Sequence, residues 1–122
     1  MHEISICQSI VETLKAELAE DQYQNVREVH LKVGVLSCVE PQTLSHVFKY
    51  IIEDSPFQKC SLHTDLVGIS AKCEHCNLNF KVEHYRFVCP QCDKPTATVI
   101  EGKELIIHKI ILEEPSYAEI NQ

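Results

Sequence analysis

The sequence predicts an α+β fold into which a small metal-binding module is inserted. Residues 4–20 and 41–54 repeat apolar side chains at three- and four-residue steps, the spacing of amphipathic helices. Residues 26–36 alternate apolar and polar side chains, the pattern of a half-buried strand. Two C-x-x-C pairs follow in the second half of the chain, and their spacing is typical of a metal site.

The two predicted helices have different end signals. The first begins almost at the first residue, and neither Pro nor Gly interrupts it. Pro41 suits the first turn of the second helix, and Ser55-Pro56 ends it. The predicted core stripe of the first helix consists of Ile4, Cys7, Val11, Leu14 and Leu18. That of the second consists of Leu44, Val47, Phe48, Ile51 and Ile52.

Three strands are predicted for the main sheet, at residues 26–36, 60–70 and 104–112. Within the first strand, Gly34 marks either a bulge or a close approach of another backbone segment. The last strand is apolar on both faces, which favours a central or doubly covered position. We therefore expect it to return and pair with the first two strands, so that the metal-binding segment is an insertion.

The two cysteine pairs form the pattern C-x2-C-x12-C-x2-C. Two residues between paired cysteines let both sulfurs face one point, and Zn²⁺ accepts four thiolates in a closed tetrahedron. A redox dithiol would normally occur once, beside a βαβ pattern, so a metal site is favoured over redox or disulfide pairing. The predicted zinc ligands are Cys73, Cys76, Cys89 and Cys92.

The segment around these cysteines predicts a zinc ribbon. A short hairpin is expected between the two pairs, and a further strand at residues 96–100. His75 and His84 lie close by in sequence, and either could replace a thiolate or donate a hydrogen bond to a sulfur. This segment has few apolar residues, so a structural Zn²⁺ would supply its folding free energy, on the order of 10 kcal/mol.

The chain length of 122 residues suits one main domain with a small satellite. The predicted main domain comprises residues 1–69 and 103–122, and the predicted zinc-ribbon domain comprises residues 70–102. The fold class is therefore two helices on a small three-stranded mixed sheet, with an inserted zinc-ribbon domain.

Composition argues against several classes of protein. The net charge of −7 opposes nucleic-acid binding, because phosphate contacts rely on Lys and Arg. No apolar run approaches the roughly 18 residues of a membrane span, and a secretory signal is not expected. Seven cysteines, four of them in metal-type spacing, favour a reducing cytoplasm. Neither a phosphate loop nor a nucleophile elbow is present, so we do not expect an enzyme.

The tripeptide Met1-His2-Glu3 is a second candidate metal site. The terminal amine, the backbone nitrogen and imidazole of His2, and the backbone or carboxylate of Glu3 place several donors together. They can form fused chelate rings in one plane, the arrangement that Ni²⁺ and Cu²⁺ prefer. Alone, the pattern favours a solvated His2 and a Glu3 carboxylate that stabilises the helix N-terminus. An immediate helix start would hold the donors in place.

Several motifs occur in a fixed order along the whole chain. Met1-His2-Glu3 leads directly into a helix, and Val33-Gly34-Val35-Leu36-Ser37 ends a strand. Glu40-Pro41 then opens the second helix, and the four-cysteine pattern follows. In this combination the chain resembles the HypA/HybF family, hydrogenase maturation proteins that deliver nickel.

The resemblance implies two metal sites. It implies Ni²⁺ binding at His2, with Glu3 and the Met1 amine contributing. Glu40 is a further candidate, because some family members carry an Asp in the loop before the second helix. It also implies that the four cysteines named above hold structural zinc, Zn(II), while Ni(II) is transferable.

The resemblance further implies a cytoplasmic nickel metallochaperone that is not an enzyme. It would dock on a nickel-handling GTPase of hydrogenase maturation and on the hydrogenase large-subunit precursor, with no nucleic acid or membrane as partner. A homodimer remains open. The alternative function is a zinc-ribbon binding or adaptor module without nickel transfer.

Overall fold

The fold was established from a computed structural model that describes residues 3–95 and 97–113. The predicted α+β fold is confirmed. The elements in order are α1 (Glu3–Glu17), a 3-10 helix (Glu20–Asn25), β1 (Val26–Gly34), a 3-10 turn (Val35–Ser37), α2 (Pro41–Ile52), β2 (Ser61–Val67), β3 (Ser70–Cys73), β4 (Asn79–Lys81), β5 (Ala97–Glu101) and β6 (Leu105–Leu112). None of the described helices is both long and apolar enough to span a membrane.

The described chain forms two compact units. Unit 1 contains residues 3–31, 40–63 and 107–113, and unit 2 contains Lys32–Val39 and Thr64–Ile106. This grouping follows backbone proximity, which differs from the ability to fold independently. The predicted domains, residues 1–69 with 103–122 and residues 70–102, therefore remain a prediction.

In unit 1, helix α1 packs against α2 through an apolar stripe. The stripe differs from the predicted one, because Ile4 is 55% exposed and Val11 is only half-buried. The sequence contains two overlapping apolar rows, and the row that meets the core is rotated toward Ile6 and Ile10. The buried residues of α1 are Ile6, Cys7, Ile10 and Leu14. Those of α2 are Leu44, Phe48 and Ile52.

The main sheet has the strand order β2-β1-β6, so β1 is central and β6 lies at an edge. The prediction of a central or doubly covered last strand is wrong, and so is its pairing with both earlier strands. Every residue of β6 is half-buried or exposed. The strand that supplies the fully buried face in unit 1 is β1, through Val26, Val29 and Leu31. Apolar content on both faces of β6 was thus a poor guide to its position.

Polar contacts fix both neighbours of β1 in unit 1. The Glu113 backbone N–H donates to the Asn25 carbonyl at 2.7 Å, and Arg27 forms an ion pair with the Glu113 carboxylate. On the other side, the Ser61 hydroxyl donates to the Arg27 carbonyl at 3.3 Å. These contacts hold β6 and β2 in register with β1.

Unit 2 contains an antiparallel sheet with the order β4-β3-β5. Ala71 of β3 lies opposite Phe80 on one side and Val99 on the other. The core consists of Ile69, Ala71 and Val82, with Leu36, Phe80, Phe87, Ala97 and Val99 packed against it.

The predicted hairpin between the two cysteine pairs is wrong. The hairpin instead surrounds the first pair, because β3 runs into Cys73 and β4 returns from Asn79 to pair with it. Residues 82–95 contain no strand. The tight turn of the first cysteine pair connects the two strands of the hairpin, whereas the sequence pattern predicted a hairpin further along the chain.

Of the two alternatives at Gly34, a bulge or a close backbone approach, the structure shows the close approach. Its N–H donates to the Glu104 carbonyl at 2.7 Å, and the Leu36 N–H donates to the Gly102 carbonyl at 2.7 Å. A Cβ on Gly34 would lie 2.1 Å from the Gly102 carbonyl oxygen. Only a residue without a side chain fits there.

Candidate metal centres

The four predicted zinc ligands come together at one end of the unit 2 sheet. The sulfur atoms of Cys73 and Cys92 are 3.5 Å apart, as are those of Cys76 and Cys89, and all four lie within 4.8 Å of one another. A tetrahedron with Zn–S bonds of about 2.3 Å has edges of about 3.8 Å. The four sulfurs therefore surround a space that suits one tetrahedral ion.

The two cysteine pairs fold in the same way. The Asn77 N–H donates to the Cys73 carbonyl at 2.8 Å, and the Asp93 N–H donates to the Cys89 carbonyl at 2.8 Å. Asn77 and Asp93 both adopt the left-handed conformation with φ of 63°, which Asn and Asp tolerate better than most residues. The first cysteine of each pair also donates its N–H five residues ahead, to Leu78 at 2.9 Å and to Lys94 at 3.1 Å.

The four neighbouring thiols cannot all ionise easily, because a thiolate at one position makes ionisation of its neighbours harder. At Cys89, burial opposes ionisation, but hydrogen bonds from the backbone N–H groups of Cys92 and Gln91 and from the thiols of Cys76 and Cys92 together hold the pKa below its usual value. At Cys76, a backbone hydrogen bond from Leu78 favours the thiolate, but burial and the other three sulfurs raise the pKa to about 12. A bound cation removes this competition, because a coordinating thiol is deprotonated.

The histidines near this site are not part of the sulfur group. His75 and His84 are both exposed, and the four-member cluster of candidate ligands contains cysteines alone. His84 and the following Tyr85 have φ of 55° and 57°, so the backbone between the two pairs bends sharply there. A ligand role for either histidine remains a prediction.

Of the predicted nickel donors, the structure describes Glu3 and Glu40. Met1 and His2 lie outside the described residues. Glu3 is the first residue of α1 and lies in its first turn, so the expected immediate helix start is confirmed from Glu3 onward. The Glu40 carboxylate caps α2, accepting hydrogen bonds from the backbone N–H of Gln42 at 2.8 Å and of Thr43 at 3.2 Å. A nickel role for Glu40 would have to compete with this cap.

A cluster of histidines escaped the sequence reading. His30 on β1 stacks on His63 of β2 with ring centroids 4.9 Å apart, and His108 of β6 meets His30 edge-on at 6.0 Å. His108 is exposed. The available signal was that His30 alternates with buried Val29 and Leu31, which places it on the outer face. His63 and His108 lie beside His30 because of strand pairing and register, which the sequence does not give.

The fold and the sulfur cluster together define a class of protein, a small α+β protein with a four-cysteine metal-binding module. Comparison with known families is more specific. The model of the family described as "Hydrogenase/urease nickel incorporation, metallochaperone, hypA" matches residues 1–112. The chain belongs to this family, the nickel metallochaperones of hydrogenase maturation.

Individual relatives agree with this assignment. The chain is 30% identical over 113 residues to hydrogenase maturation factor HypA of Actinobacillus succinogenes, covering 93% of this chain and 100% of that protein. It is 32% identical over 113 residues to hydrogenase maturation factor HybF of Escherichia coli O157:H7, with the same coverage.

Solved structures agree in fold. A solution structure of the Ni metallochaperone HypA from Helicobacter pylori matches with a TM-score of 0.67, covering 92% of this chain and 97% of that chain. A second solution structure of a HypA protein matches with a TM-score of 0.71, covering 93% of this chain and 97% of that chain. Both are 19% identical in sequence, so they support the fold alone.

Proposed function

We propose that this protein binds one Ni²⁺ at Met1-His2-Glu3 and delivers it during maturation of [NiFe]-hydrogenase. The observation that carries the proposal is the family match, which begins at the first residue and extends to residue 112. The start of α1 at Glu3 supports it, because a helix beginning there fixes the backbone beside the terminal donors.

The chemistry of the tripeptide suits a transferable ion. The Met1 amine, the His2 backbone nitrogen and the His2 imidazole can occupy three positions of a planar site, and Glu3 can supply a fourth donor. Such a site at a chain terminus is open on both faces, so an acceptor can displace the donors one at a time. Glu40 is retained as a further candidate donor.

We infer that the four cysteines hold a structural Zn²⁺. Four sulfurs at near-tetrahedral separations, with Cys73 and Cys89 fully buried, favour an ion that stays in place. The ion would stabilise a unit whose apolar core is small. Its role is to maintain the fold, and the transferred nickel uses separate donors.

Delivery requires partners. We propose a nickel-handling GTPase and the hydrogenase large-subunit precursor, both in the cytoplasm, with GTP hydrolysis supplied by the partner. Urease is a further candidate acceptor, because the family description names it beside hydrogenase. Pull-down of the purified precursor with nickel-loaded and nickel-free protein tests the docking step.

Metal analysis of the untagged protein tests the nickel site. We expect one Zn²⁺ per chain in the four-cysteine site and, at neutral pH, one Ni²⁺ per chain with an absorption spectrum typical of planar nickel. His2→Ala should abolish the planar spectrum and leave the zinc content unchanged. Extending the N-terminus by a few residues should also weaken this binding, because the amine is displaced. Uptake should fall on acidification, as the amine and imidazole regain protons.

His46→Ala is the matched control, since His46 is an exposed histidine on α2. It should bind nickel like the wild type. A planar nickel spectrum that survives in His2→Ala would refute the terminal site. Absence of any planar nickel in the wild type would favour the alternative, an adaptor module with a structural metal alone.

A further inference from the structure

The outer face of the main sheet in unit 1 carries imidazoles from all three strands. His30 lies on β1, His63 on β2 and His108 on β6, with the Glu28 carboxylate beside them on β1. We propose that this group, which we call the histidine face, is a third metal site that binds a divalent first-row transition ion. It uses neither the terminal tripeptide nor the four cysteines.

The donor atoms already lie close together. Glu28 Oε1 is 2.8 Å from His30 Nε2 and 3.7 Å from His63 Nε2, so one carboxylate oxygen lies near two imidazole nitrogens. Ring nitrogens of His30 and His108 lie within 4.8 Å of each other. Donors bound at about 2.0–2.1 Å to one ion lie about 3 to 4 Å apart. Bringing the ring nitrogens of His30 and His108 to such a separation requires a shift of about an ångström.

The side chains of His63 and Glu28 are partly exposed, whereas the strands that carry them are held in place. The side chain of His63 is 46% exposed and that of Glu28 is 37% exposed, whereas that of His30 is only 18% exposed. The register of β6 and β2 against β1 is held by the contacts of Arg27 described above. His30 therefore forms a nearly fixed donor around which the exposed side chains can close.

The donor chemistry decides the kind of ion. Imidazole nitrogens suit zinc, copper, iron and nickel, whereas calcium and magnesium require mostly oxygen donors. The Glu28 carboxylate adds an oxygen donor to the imidazoles of this face. The negative charge of a carboxylate beside imidazole donors favours a divalent cation.

The ion must replace hydrogen bonds that the side chains already make. His30 is bonded to Glu28, and the Ser61 hydroxyl lies 3.0 Å from His63 Nε2. His30 and His108 have further partners as well. The exchange lowers the net gain of binding, so the histidine face should hold its ion more weakly than the four-thiolate cage.

The test uses the full-length, zinc-loaded His2→Ala protein titrated with Ni²⁺. Nickel with imidazole and carboxylate donors is expected to be six-coordinate and paramagnetic, whereas planar nickel is diamagnetic. Substoichiometric Ni²⁺ should therefore broaden the backbone amide NMR signals around Glu28–His30, Ser61–His63 and His108. Calorimetry should give one bound ion per chain.

Substitutions in the same background assign the ligands. His63→Ala and His108→Ala, both at exposed positions, should each weaken binding by about tenfold or more. His30→Gln, which preserves most of the side-chain volume, should do the same, with unchanged circular dichroism as the check of folding. His46→Ala should bind Ni²⁺ as tightly as the background.

Two results would overturn the proposal: broadening confined to other parts of the chain, or equal affinity in the His63, His108 and His46 variants. Because these experiments lack His2, their failure does not bear on the terminal site. Conversely, loss of the planar spectrum in His2→Ala tests the terminal site with the histidine face intact.

Discussion

Among the three glycines, Gly34 leaves the least room for a side chain. Its missing side chain lets the carbonyl of Gly102 approach within hydrogen-bond distance of Leu36. We expect Gly34→Ala to lower the free energy of unfolding by about 1–3 kcal/mol, because the new methyl group meets backbone atoms. Chemical denaturation of the zinc-loaded protein measures the effect.

Gly68→Ala is the matched control for Gly34→Ala. A Cβ at Gly68 meets nothing within 4 Å, so its stability should change by less than about 0.5 kcal/mol. Equal destabilisation by both substitutions would show that the close approach at Gly34 carries no special cost.

The thiols outside the cysteine cluster differ sharply in environment. Burial raises the pKa of Cys7 and of Cys60 to about 11, with nearby carboxylates adding a smaller effect. Their thiolate fraction at neutral pH is therefore about 100-fold below that of an ordinary thiol. Cys38 is exposed.

We predict that iodoacetamide at pH 7.5 alkylates Cys38 first in the zinc-loaded protein. Cys7 and Cys60 should react at least about 100-fold more slowly, because they are both buried and protonated. Peptide mass spectrometry over time gives the three rates. Labelling after denaturation provides the control, since all three should then react alike. Comparable rates in the native protein would contradict the burial of Cys7 and Cys60.

At the scale of elements, α2 depends on the cap that precedes it. Glu40 accepts backbone hydrogen bonds at the N-terminus, and Pro41 follows at the first helical position. We expect Glu40→Ala to cost about 1 kcal/mol in unfolding free energy, as loss of an N-cap acceptor usually does. Thermal melting followed by circular dichroism measures it.

Glu40→Asn separates the cap from the proposed nickel role. Asn retains a good capping oxygen but loses the charge, so stability should stay near that of the wild type. If Glu40 also donates to nickel, this variant should weaken the planar site without changing the melting temperature. Equal melting temperatures for the Ala variant and the wild type would argue against a stabilising cap.

At the scale of the whole molecule, we expect unit 2 to be structurally ordered only when a metal ion occupies the four-cysteine site. Its buried core is small, whereas the helices of unit 1 bury several large side chains. Removing the metal with a chelator should therefore abolish amide protection across Ser70–Cys73 and Ala97–Glu101, while helical circular dichroism from α1 and α2 largely persists.

Hydrogen exchange with mass spectrometry makes this measurement, and adding Zn²⁺ back should restore protection. A Cys76→Ser/Cys92→Ser variant should resemble the metal-free protein. Protection of β3 and β5 that survives chelation would show that the module folds without its ion.

Sequence patterns were most reliable where one local rule dominates. The start of α2 at Pro41 follows from turn chemistry, the buried face of β1 from periodicity, and the four-cysteine group from ligand spacing. The edge position of β6 and the histidine face depend instead on which strands become neighbours. Long-range packing determines these neighbours, so local patterns could place His30 on an outer face but could not place the other two histidines beside it or β6 at the edge.

The paired turns around the sulfur cluster leave it asymmetric toward solvent. The leading cysteine of each turn, Cys73 or Cys89, is buried, and the trailing one, Cys76 or Cys92, is partly open. A chelator or oxidant would therefore meet the two trailing sulfurs before the two leading ones.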